Sequence, residues 1–404
     1  MVNPSLTALR VVLLACLAIG VSACALVRDS SHHCEPPGSR ADQPWGGVPV
    51  LHALDRPPEQ IDDGWSVSTA EMEGFDPEPL REMLEAVEDG DFTKLDSILI
   101  ARHGKLVLEA YFNGFDRETK HDTRSAFKSI TSTFVGVAVD RGLIADLDAP
   151  VSTYFPNYWP KIEGDLELKS QITLANLLTM TPGFDAEEGW GIGPYREDDM
   201  WDSSDWIRFT LDLPMARKPG ERFSYNSSTT FLLGQVVARA ADEPLPAFAK
   251  REFFEPLGIT DYCWTLTGKG RAVAQGSFFI RPRDMLKVGQ LFLDGGLWQG
   301  RRVVSADWVA NATARQVDAG RPNAISPGSS ISGYGYQWWT KAVRPGEDPR
   351  IVRYFASGNG GQKIFVFPKL DMVVVFNGSH YNKKIGHQQP WWILTDFVFP
   401  AVLD

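Results

Sequence analysis

The sequence predicts an α+β fold, in which an antiparallel sheet is built from both chain ends, flanked by helices, with a mainly helical lobe inserted between them. Two observations support this prediction. Runs of apolar and β-branched residues occur at 95–112 and again from 334 to 378, whereas residues from about 145 to 275 have helix and loop patterns rich in Trp and Pro. The crevice between a sheet and an inserted lobe is a natural place for a functional site.

The individual elements have recognisable boundaries. Asp76-Pro77 is predicted to open a short amphipathic helix, and two apolar runs around His103-Gly104 form a β-hairpin. A helix runs from Ser125 to Gly142, and "PRDMLKVGQLFLDGG" is another, closed by Gly295-Gly296. Four strands and a terminal helix are predicted towards the C-terminus: "YGYQWWT", "IVRYFAS", "QKIFVFP", "LDMVVVFNG" and "PWWILTDFVFPAV".

Residues 1–24 are predicted to be a leader. Arg10 precedes an apolar run too short to span a bilayer comfortably, and the run ends at Val21-Ser22-Ala23-Cys24. This ending resembles a bacterial lipobox, in which the cysteine is lipidated and becomes the new N-terminus. We therefore expect an exported lipoprotein of the cell envelope, with a membrane anchor at Cys24; the alternative is an ordinary secretory signal with an incidental cysteine.

The remaining chain divides into a tether and one domain. Residues 25–66 are rich in Pro, Gly, Asp and Ser and are predicted to be a flexible tether. Residues 67–404 form the predicted domain, with the helical lobe at about 145–275. Once the leader is removed, the remaining cysteines are Cys34 and Cys263, which could pair in an oxidising compartment.

Composition excludes some classes of partner. The net charge is −11 with no basic block, which argues against a nucleic-acid partner. The sequence has no Cys/His cluster with zinc-ligand spacing and no H-E-x-x-H motif, so we expect neither a metal nor another cofactor.

The stretch "HDTRSAFKSITST" carries the main chemical candidates, Ser125 and Lys128. Residues three apart on a helix lie on nearly one face, one turn apart. A serine hydroxyl needs a base to become a nucleophile, and a lysine is a base only when burial or a neighbouring cation lowers its pKa. A lone Ser-x-x-Lys is more often an N-capping serine and a surface lysine, so further residues must decide.

Two later stretches add such residues. Tyr225, in "PGERFSYNSS", lies at a turn before a helix, and a phenol beside a lysine can share proton transfer, with its pKa lowered by that cation. Asn359, Gly360 and Gly361 stand at the start of a strand, where glycines let a substrate approach a backbone N–H closely. The ordinary alternatives are a core aromatic and a plain hairpin turn.

Ser-x-x-Lys, then Tyr, then a Gly-rich strand start resembles the serine β-lactamase and penicillin-binding-protein superfamily. The stretches "ILIARHGKLVLEAYF", "ITLANLLTMTPGFD" and "RPRDMLKVGQLFLDGGLWQG" resemble its class C β-lactamase-like branch, which includes esterases, D-amino-acid peptidases and 6-aminohexanoate-dimer hydrolases. The resemblance implies that Ser125 is acylated, that Lys128 accepts its proton and that Tyr225 shuttles the proton to the leaving group. The implied oxyanion donors are the backbone N–H groups of Ser125 and Gln362.

The sequence departs from that pattern in two places. Ser227 stands where a class C enzyme has the amide-binding asparagine of Tyr-x-Asn, and Asn359-Gly360-Gly361 replaces Lys-Thr-Gly. The missing lysine would pair with a substrate carboxylate. We therefore favour a small-molecule ester or amide without an obligatory anion; the alternatives are a β-lactamase or D,D-peptidase acting on cell-wall peptides, and a non-catalytic ligand sensor.

Other residues are weaker candidates. An apolar acyl pocket could draw on aromatic residues of the helical lobe, although each is more often a core residue: Trp190, Tyr195, Trp201 and Trp206. His103, His121 and His380 are interpreted as turn or surface histidines without a role.

Overall fold

The computed structural model describes residues 54–188, 197–320, 332–342 and 348–403. Trp190 and Tyr195 lie outside these ranges, as do Cys24 and Cys34. The strands are β1 Ser66–Val67, β2 Leu95–Arg102, β3 Lys105–Tyr111, β4 His121–Asp122, β5 Tyr262–Trp264, β6 Phe278–Ile280, β7 Leu297–Trp298, β8 Arg301–Arg302, β9 Val317–Asp318, β10 Gly333–Tyr334, β11 Trp339–Lys341, β12 Arg353–Ser357, β13 Lys363–Phe367 and β14 Met372–Gly378.

The helices fall mostly between the two groups of long strands. They are α1 Pro77–Glu88, α2 Phe127–Asp140, α3 Leu166–Lys169, α4 Leu174–Leu178, α5 Glu197–Asp202, α6 Trp206–Asp212, α7 Ser227–Ala240, α8 Leu245–Ala249, α9 Pro282–Leu293, α10 Ala306–Thr313, α11 Lys384–Ile393 and α12 Phe399–Ala401. Within the described ranges, no helix has the length and apolar character needed to cross a bilayer.

The main sheet has the order β1-β3-β2-β14-β13-β12-β11-β10-β9. Every neighbouring pair is antiparallel except β1 and β3, which are parallel. Strand β14, from the C-terminal part, pairs with β2 from the N-terminal part, with Val374 opposite Ile100. The predicted α+β sheet built from both chain ends is therefore confirmed.

Both faces of the sheet are covered, which explains why its central strands are apolar on both sides. On β13, Ile364 and Val366 point to the face covered by α2 and α9, whereas Phe365 and Phe367 point to the face covered by α1 and α11. Helix α9 approaches the sheet closely at Gly289, where an added Cβ would lie 2.3 Å from Val373 Cγ1.

The ordered domain begins earlier than residue 67. The Trp65 indole donates to Arg283 O at 3.2 Å and packs edge-on against Trp298 at 5.2 Å between ring centroids. Arg283, almost fully buried, also holds Asp63 at 3.1 Å. The end of the predicted tether is therefore part of the domain, because aromatic and ion-pair contacts hold it there.

Two further boundaries differ from the predictions. The segment "YGYQWWT" is not one strand: β10 and β11 form a hairpin whose turn includes Gln337 with positive φ of 64°. The terminal helix begins at Lys384 and contains Pro390, where we predicted a helix start.

Cys263 is disulfide-bonded, and a pairing with Cys34 remains a prediction.

We predict that Gly289→Ala destabilises the domain by about 1–3 kcal/mol, because the added methyl group overpacks the contact between α9 and the sheet. Urea unfolding measures the change. The control is Gly268→Ala, at a position with open space around the added Cβ. Equal stability of the two variants would show that α9 can move away from the sheet without cost.

Candidate active site

Strand β4 and the turn after it fix the position of Ser125. The backbone N–H and the hydroxyl of Thr123 both donate to Phe278 O on β6, each at 2.9 Å. Arg124 has a positive φ of 48°, and its N–H donates to the Asp122 carboxylate at 2.8 Å. A residue with a side chain is strained in this left-handed region, so the neighbouring contacts must hold it there. Ser125, partly exposed, follows on a short 3-10 turn that leads into α2.

Lys128, on the first turn of α2, is almost completely buried. Its Nζ lies 3.0 Å from Ser125 Oγ, 3.0 Å from Ser227 Oγ and 2.9 Å from Gln275 O. All three partners are neutral oxygens, so the charge of an ammonium here is not cancelled by a directly bonded carboxylate. The predicted Ser125–Lys128 pair is thus brought to hydrogen-bond distance inside a poorly hydrated site.

Tyr225 lies on the other side of Ser125. Its phenol hydrogen-bonds with Ser125, and its ring lies 5.3 Å from Lys128 Nζ and stacks on Trp339 at 5.9 Å. Burial raises the pKa of Tyr225, although the Lys128 charge and the Ser125 hydrogen bond act in the opposite direction. We expected the neighbouring cation to lower this pKa, and its charge does act in that direction, but removal from water has the larger effect and the net shift is upwards.

The residues after Tyr225 have different roles. Asn226 caps α7 by accepting from Thr229 N at 3.3 Å, and its amide donates to Ala186 O at 3.2 Å. Ser227 is buried against Lys128. Asn226 therefore does not substitute for the asparagine missing at position 227, because its side chain is used as a helix cap.

Glu188 is a residue that the sequence did not single out. Its carboxylate accepts from Ser227 N–H at 2.8 Å and interacts with the Ser227 hydroxyl, while its own N–H donates to Tyr225 O at 2.8 Å. Burial, with a further contribution from the Glu197 carboxylate, raises the pKa of Glu188 to about 7, and Lys128 opposes this rise. Nothing in the local pattern "FDAEEGW" distinguishes it, since the contact spans 39 residues.

The Gly-rich loop meets the Ser125 turn through a residue that we did not predict, Gly358. An added Cβ there would lie 2.3 Å from Thr123 O and 3.0 Å from Arg124 Cβ. Gly360 and Gly361 instead face Tyr381, Gly378 and Gly386. The contact at Gly358 explains why this part of the loop cannot carry a side chain.

The side chains of the loop are engaged elsewhere. Asn359 exchanges two hydrogen bonds with Asn382, at 2.6 and 2.8 Å. The Gln362 amide donates to Gly378 O at 2.5 Å and accepts from Asn377 at 3.0 Å. What the loop can offer a substrate is therefore backbone N–H groups. The N–H of Gly358 is already bonded to Gln362 O at 2.8 Å.

Lys363 lies behind this loop and does not face Ser125. It is completely buried, with Nζ 2.5 Å from Ser357 Oγ and 3.3 Å from His387 Nδ1. Burial lowers the pKa of Lys363 to about 7. The side chain of Lys363 points away from Ser125 and into the face of the sheet covered by α11.

The described aromatic candidates lie in the helical lobe, and one of the histidine candidates lies in the interior. Trp206 is buried in the helical lobe against Phe231, at 5.2 Å, and Trp201 is partly exposed beside it at 4.6 Å. His121 is not a surface residue: it is 2% exposed, stacks on Phe115 at 4.3 Å and lies 3.9 Å from the Asp96 carboxylate. The sequence did not reveal this burial because β4 is only two residues long.

The described ranges contain no group of three or more His, Cys, Asp or Glu side chains arranged to hold a metal ion. An α+β fold that places a Ser-x-x-Lys serine beside a buried lysine and a tyrosine defines the class of β-lactamase-like serine hydrolases.

The chain belongs to the β-lactamase family, whose model matches residues 93–387. It is 28% identical over 307 residues to the 6-aminohexanoate-dimer hydrolase of Paenarthrobacter ureafaciens, covering 73% of this chain and 75% of that protein. It is 31% identical over 180 residues to the esterase EstB of Burkholderia gladioli, covering 40% of this chain and 45% of the esterase.

Solved structures show the same fold. EstCE1, a hydrolase with promiscuous acyltransferase activity, matches with a TM-score of 0.64 and 18% identity, over 79% of this chain and 97% of its own. A penicillin-binding protein homologue from Caulobacter crescentus matches with a TM-score of 0.62 and 15% identity, over 81% and 99% of the two chains. The resemblance to the superfamily is thus confirmed, and the chain is a serine hydrolase.

We predict that Lys363→Met flattens the pH dependence of stability. A lysine whose folded pKa lies below its unfolded value leaves the unfolded chain holding more protons between the two, so stability rises with pH above about 7. Relative to Lys363→Met, the wild type should therefore gain about 3 kcal/mol between pH 6.5 and 9.5.

Unfolding free energies across this pH range test the prediction, and the control is Lys369→Met, at an exposed position on the same hairpin. Parallel curves for the wild type and Lys363→Met would contradict it.

Proposed function

We propose that this serine hydrolase cleaves an ester or amide through an acyl-enzyme on Ser125. One observation carries the assignment: Lys128 Nζ lies 3.0 Å from Ser125 Oγ, and the other two hydrogen bonds of Nζ also go to neutral oxygens. With no carboxylate bonded to it, Nζ is placed to take the proton of the Ser125 hydroxyl.

Acylation then proceeds through a tetrahedral intermediate. Lys128 Nζ takes the proton of the Ser125 hydroxyl while Oγ forms a bond to the substrate carbonyl carbon, whose oxygen becomes an oxyanion. When the intermediate collapses, the bond from that carbon to the leaving oxygen or nitrogen breaks, and Tyr225, hydrogen-bonded with Ser125, delivers a proton to the leaving atom and regains one from Lys128. Because its pKa is raised, the phenol keeps its own proton until the leaving group needs it.

The developing oxyanion needs two N–H donors. We assign the N–H of Ser125 and one N–H of the loop 358–362. The N–H of Gly358 is already used within the loop, so the second donor comes from the N–H groups of residues 359–362, among which the resemblance implies Gln362. The close contact of Gly358 with Thr123 places this loop beside the nucleophile.

The substrate class follows from charge. No lysine stands in the strand motif, and the nearby Lys363 is completely buried behind the sheet. A carboxylate on the substrate would therefore lack the cation that Lys-Thr-Gly provides. The two relatives, an amide hydrolase and an esterase, support cleavage of an ester or amide by this chain.

We predict that Ser125→Ala abolishes covalent labelling by a fluorophosphonate and turnover of a short p-nitrophenyl ester. Lys128→Ala should lower kcat by about 10²–10⁴-fold, because the base is lost. Intact-mass measurement and initial rates test both. Ser132→Ala is the matched control, since this buried hydroxyl on the same helix has no partner in the described part of the chain.

Labelling of the Ser125→Ala variant would place the nucleophile elsewhere. Benzylpenicillin, incubated in parallel, distinguishes the cell-wall alternative: a long-lived Ser125-dependent penicillin adduct would favour a penicillin-binding function over ester or amide hydrolysis.

We also propose that the protein is an exported lipoprotein attached to the cell envelope through Cys24. The apolar run ending in Val21-Ser22-Ala23-Cys24 supports this proposal. We predict that Cys24→Ser releases the protein from the membrane fraction of cells expressing the full chain, whereas Cys16→Ser, inside the apolar run, does not. Membrane retention of Cys24→Ser would refute the lipid anchor.

A further inference from the structure

Glu188 has a position that hydrolysis by Ser125, Lys128 and Tyr225 alone does not explain. It contacts the backbone on both sides of Asn226: its N–H donates to Tyr225 O, and its carboxylate accepts from Ser227 N–H, each at 2.8 Å. A carboxyl group taken out of water beside catalytic residues requires compensation, and such groups concentrate at functional sites.

Ser227 connects this carboxyl group to the base. Its hydroxyl accepts from Lys128 Nζ at 3.0 Å and also interacts with the Glu188 carboxylate. A hydroxyl can accept one hydrogen bond and donate another at the same time. The order Ser125, Lys128, Ser227, Glu188 is therefore a continuous chain from the nucleophile to an acid–base group.

We propose that Glu188 is a positioning residue that stores the proton of Lys128, through Ser227, so that Lys128 meets Ser125 as a free amine. One proton passes from Lys128 Nζ to Ser227 Oγ while the Ser227 proton passes to the Glu188 carboxylate. An ammonium and a carboxylate become an amine and a carboxylic acid, and the net charge does not change. This inference rests on the proposed function of Ser125 and Lys128.

The geometry allows this exchange, because the Ser227 hydroxyl is hydrogen-bonded to Lys128 on one side and to Glu188 on the other. The charged and titratable groups acting on Glu188 are Glu197, which raises its pKa, and Lys128, which lowers it. The carboxylates of Glu188 and Glu197 also raise the pKa of Tyr225, so the phenol of Tyr225 is neutral near pH 7. Glu188 thus gains and loses its proton near neutral pH.

The pH profile of kcat/KM tests the proposal. In the wild type, activity should fall on the acid side as Glu188 becomes protonated and can no longer accept a proton through Ser227, which gives an acid limb near pH 7. In Glu188→Gln the proton store is gone, so the limb should move to higher pH by one unit or more. Activity at pH 7 should fall at least tenfold and recover partly under alkaline conditions.

Two variants give matched comparisons. Glu197→Gln removes the carboxylate that raises the Glu188 pKa, so its acid limb should move to lower pH. Glu187→Gln, the adjacent position, whose carboxylate lies 3.8 Å from Arg222, should leave the limb in place. Glu188→Asp should restore part of the wild-type profile, because it keeps the acid–base group.

The experiment uses the full chain with the p-nitrophenyl ester, and fluorophosphonate labelling is measured alongside. A uniform loss of activity in Glu188→Gln with an unmoved acid limb would make its role purely structural and overturn the proposal. An unmoved limb in Ser227→Ala would overturn the relay through that hydroxyl. Labelling that persists in Ser125→Ala would instead refute the proposed function, so the two failures are distinguishable.

Discussion

The active centre depends on one buried amine. Lys128 Nζ contacts Ser125 in the turn before its own helix, Ser227 at the start of α7, and the carbonyl of Gln275 in the segment before β6. The most distant of these partners, Gln275, lies 147 residues from Lys128 along the chain. The packing that buries this lysine among neutral oxygens is the same packing that assembles the domain. It therefore also places the proposed base against Ser125.

The nucleophile is held by backbone contacts on both sides. Thr123 is bonded to β6, and Gly358 lies so close to Thr123 O that a larger residue would separate the loop from the turn. Between them Arg124 keeps a left-handed backbone conformation. Strain of this kind persists only where the surroundings over-determine it. Ser125 is consequently presented at a fixed position while its hydroxyl remains partly exposed to an incoming substrate.

Structural features that depend on local pattern could be predicted from the sequence. The hairpin at His103-Gly104, helix α9 and the pairing of Ser125 with Lys128 all follow from apolar periodicity, turn residues or a spacing of three. What it missed depends on contacts across the fold. Glu188 is adjacent to an identical residue, Glu187, and only the meeting of its loop with α7 separates their roles.

The Gly-rich strand start is a second place where contacts across the fold could not be predicted from local sequence. That its glycines let a substrate approach the backbone remains a prediction, and the residue in contact with the Ser125 turn is Gly358, just before the predicted triplet. The orientation of Lys363 could not be read from alternation either, because every residue of β13 is buried and both faces of the strand look apolar. Tertiary packing, and not strand period, decided that this lysine faces α11.

The position of Lys363 bears on the substrate charge that this site can bind. In the Lys-Thr-Gly pattern a lysine faces the substrate, where it can pair with a carboxylate. Here the lysine nearest the loop is turned to the opposite face and bonded to Ser357 and His387, and its pKa is lowered to about 7 by burial. A cation in that position is separated from the substrate by the strand itself. The loop 358–362 offers backbone N–H groups, and Lys363 adds no charge on the same side of the strand. Under the proposed function, such a site stabilises the oxyanion that an ester or amide develops, without requiring an anion elsewhere on the substrate.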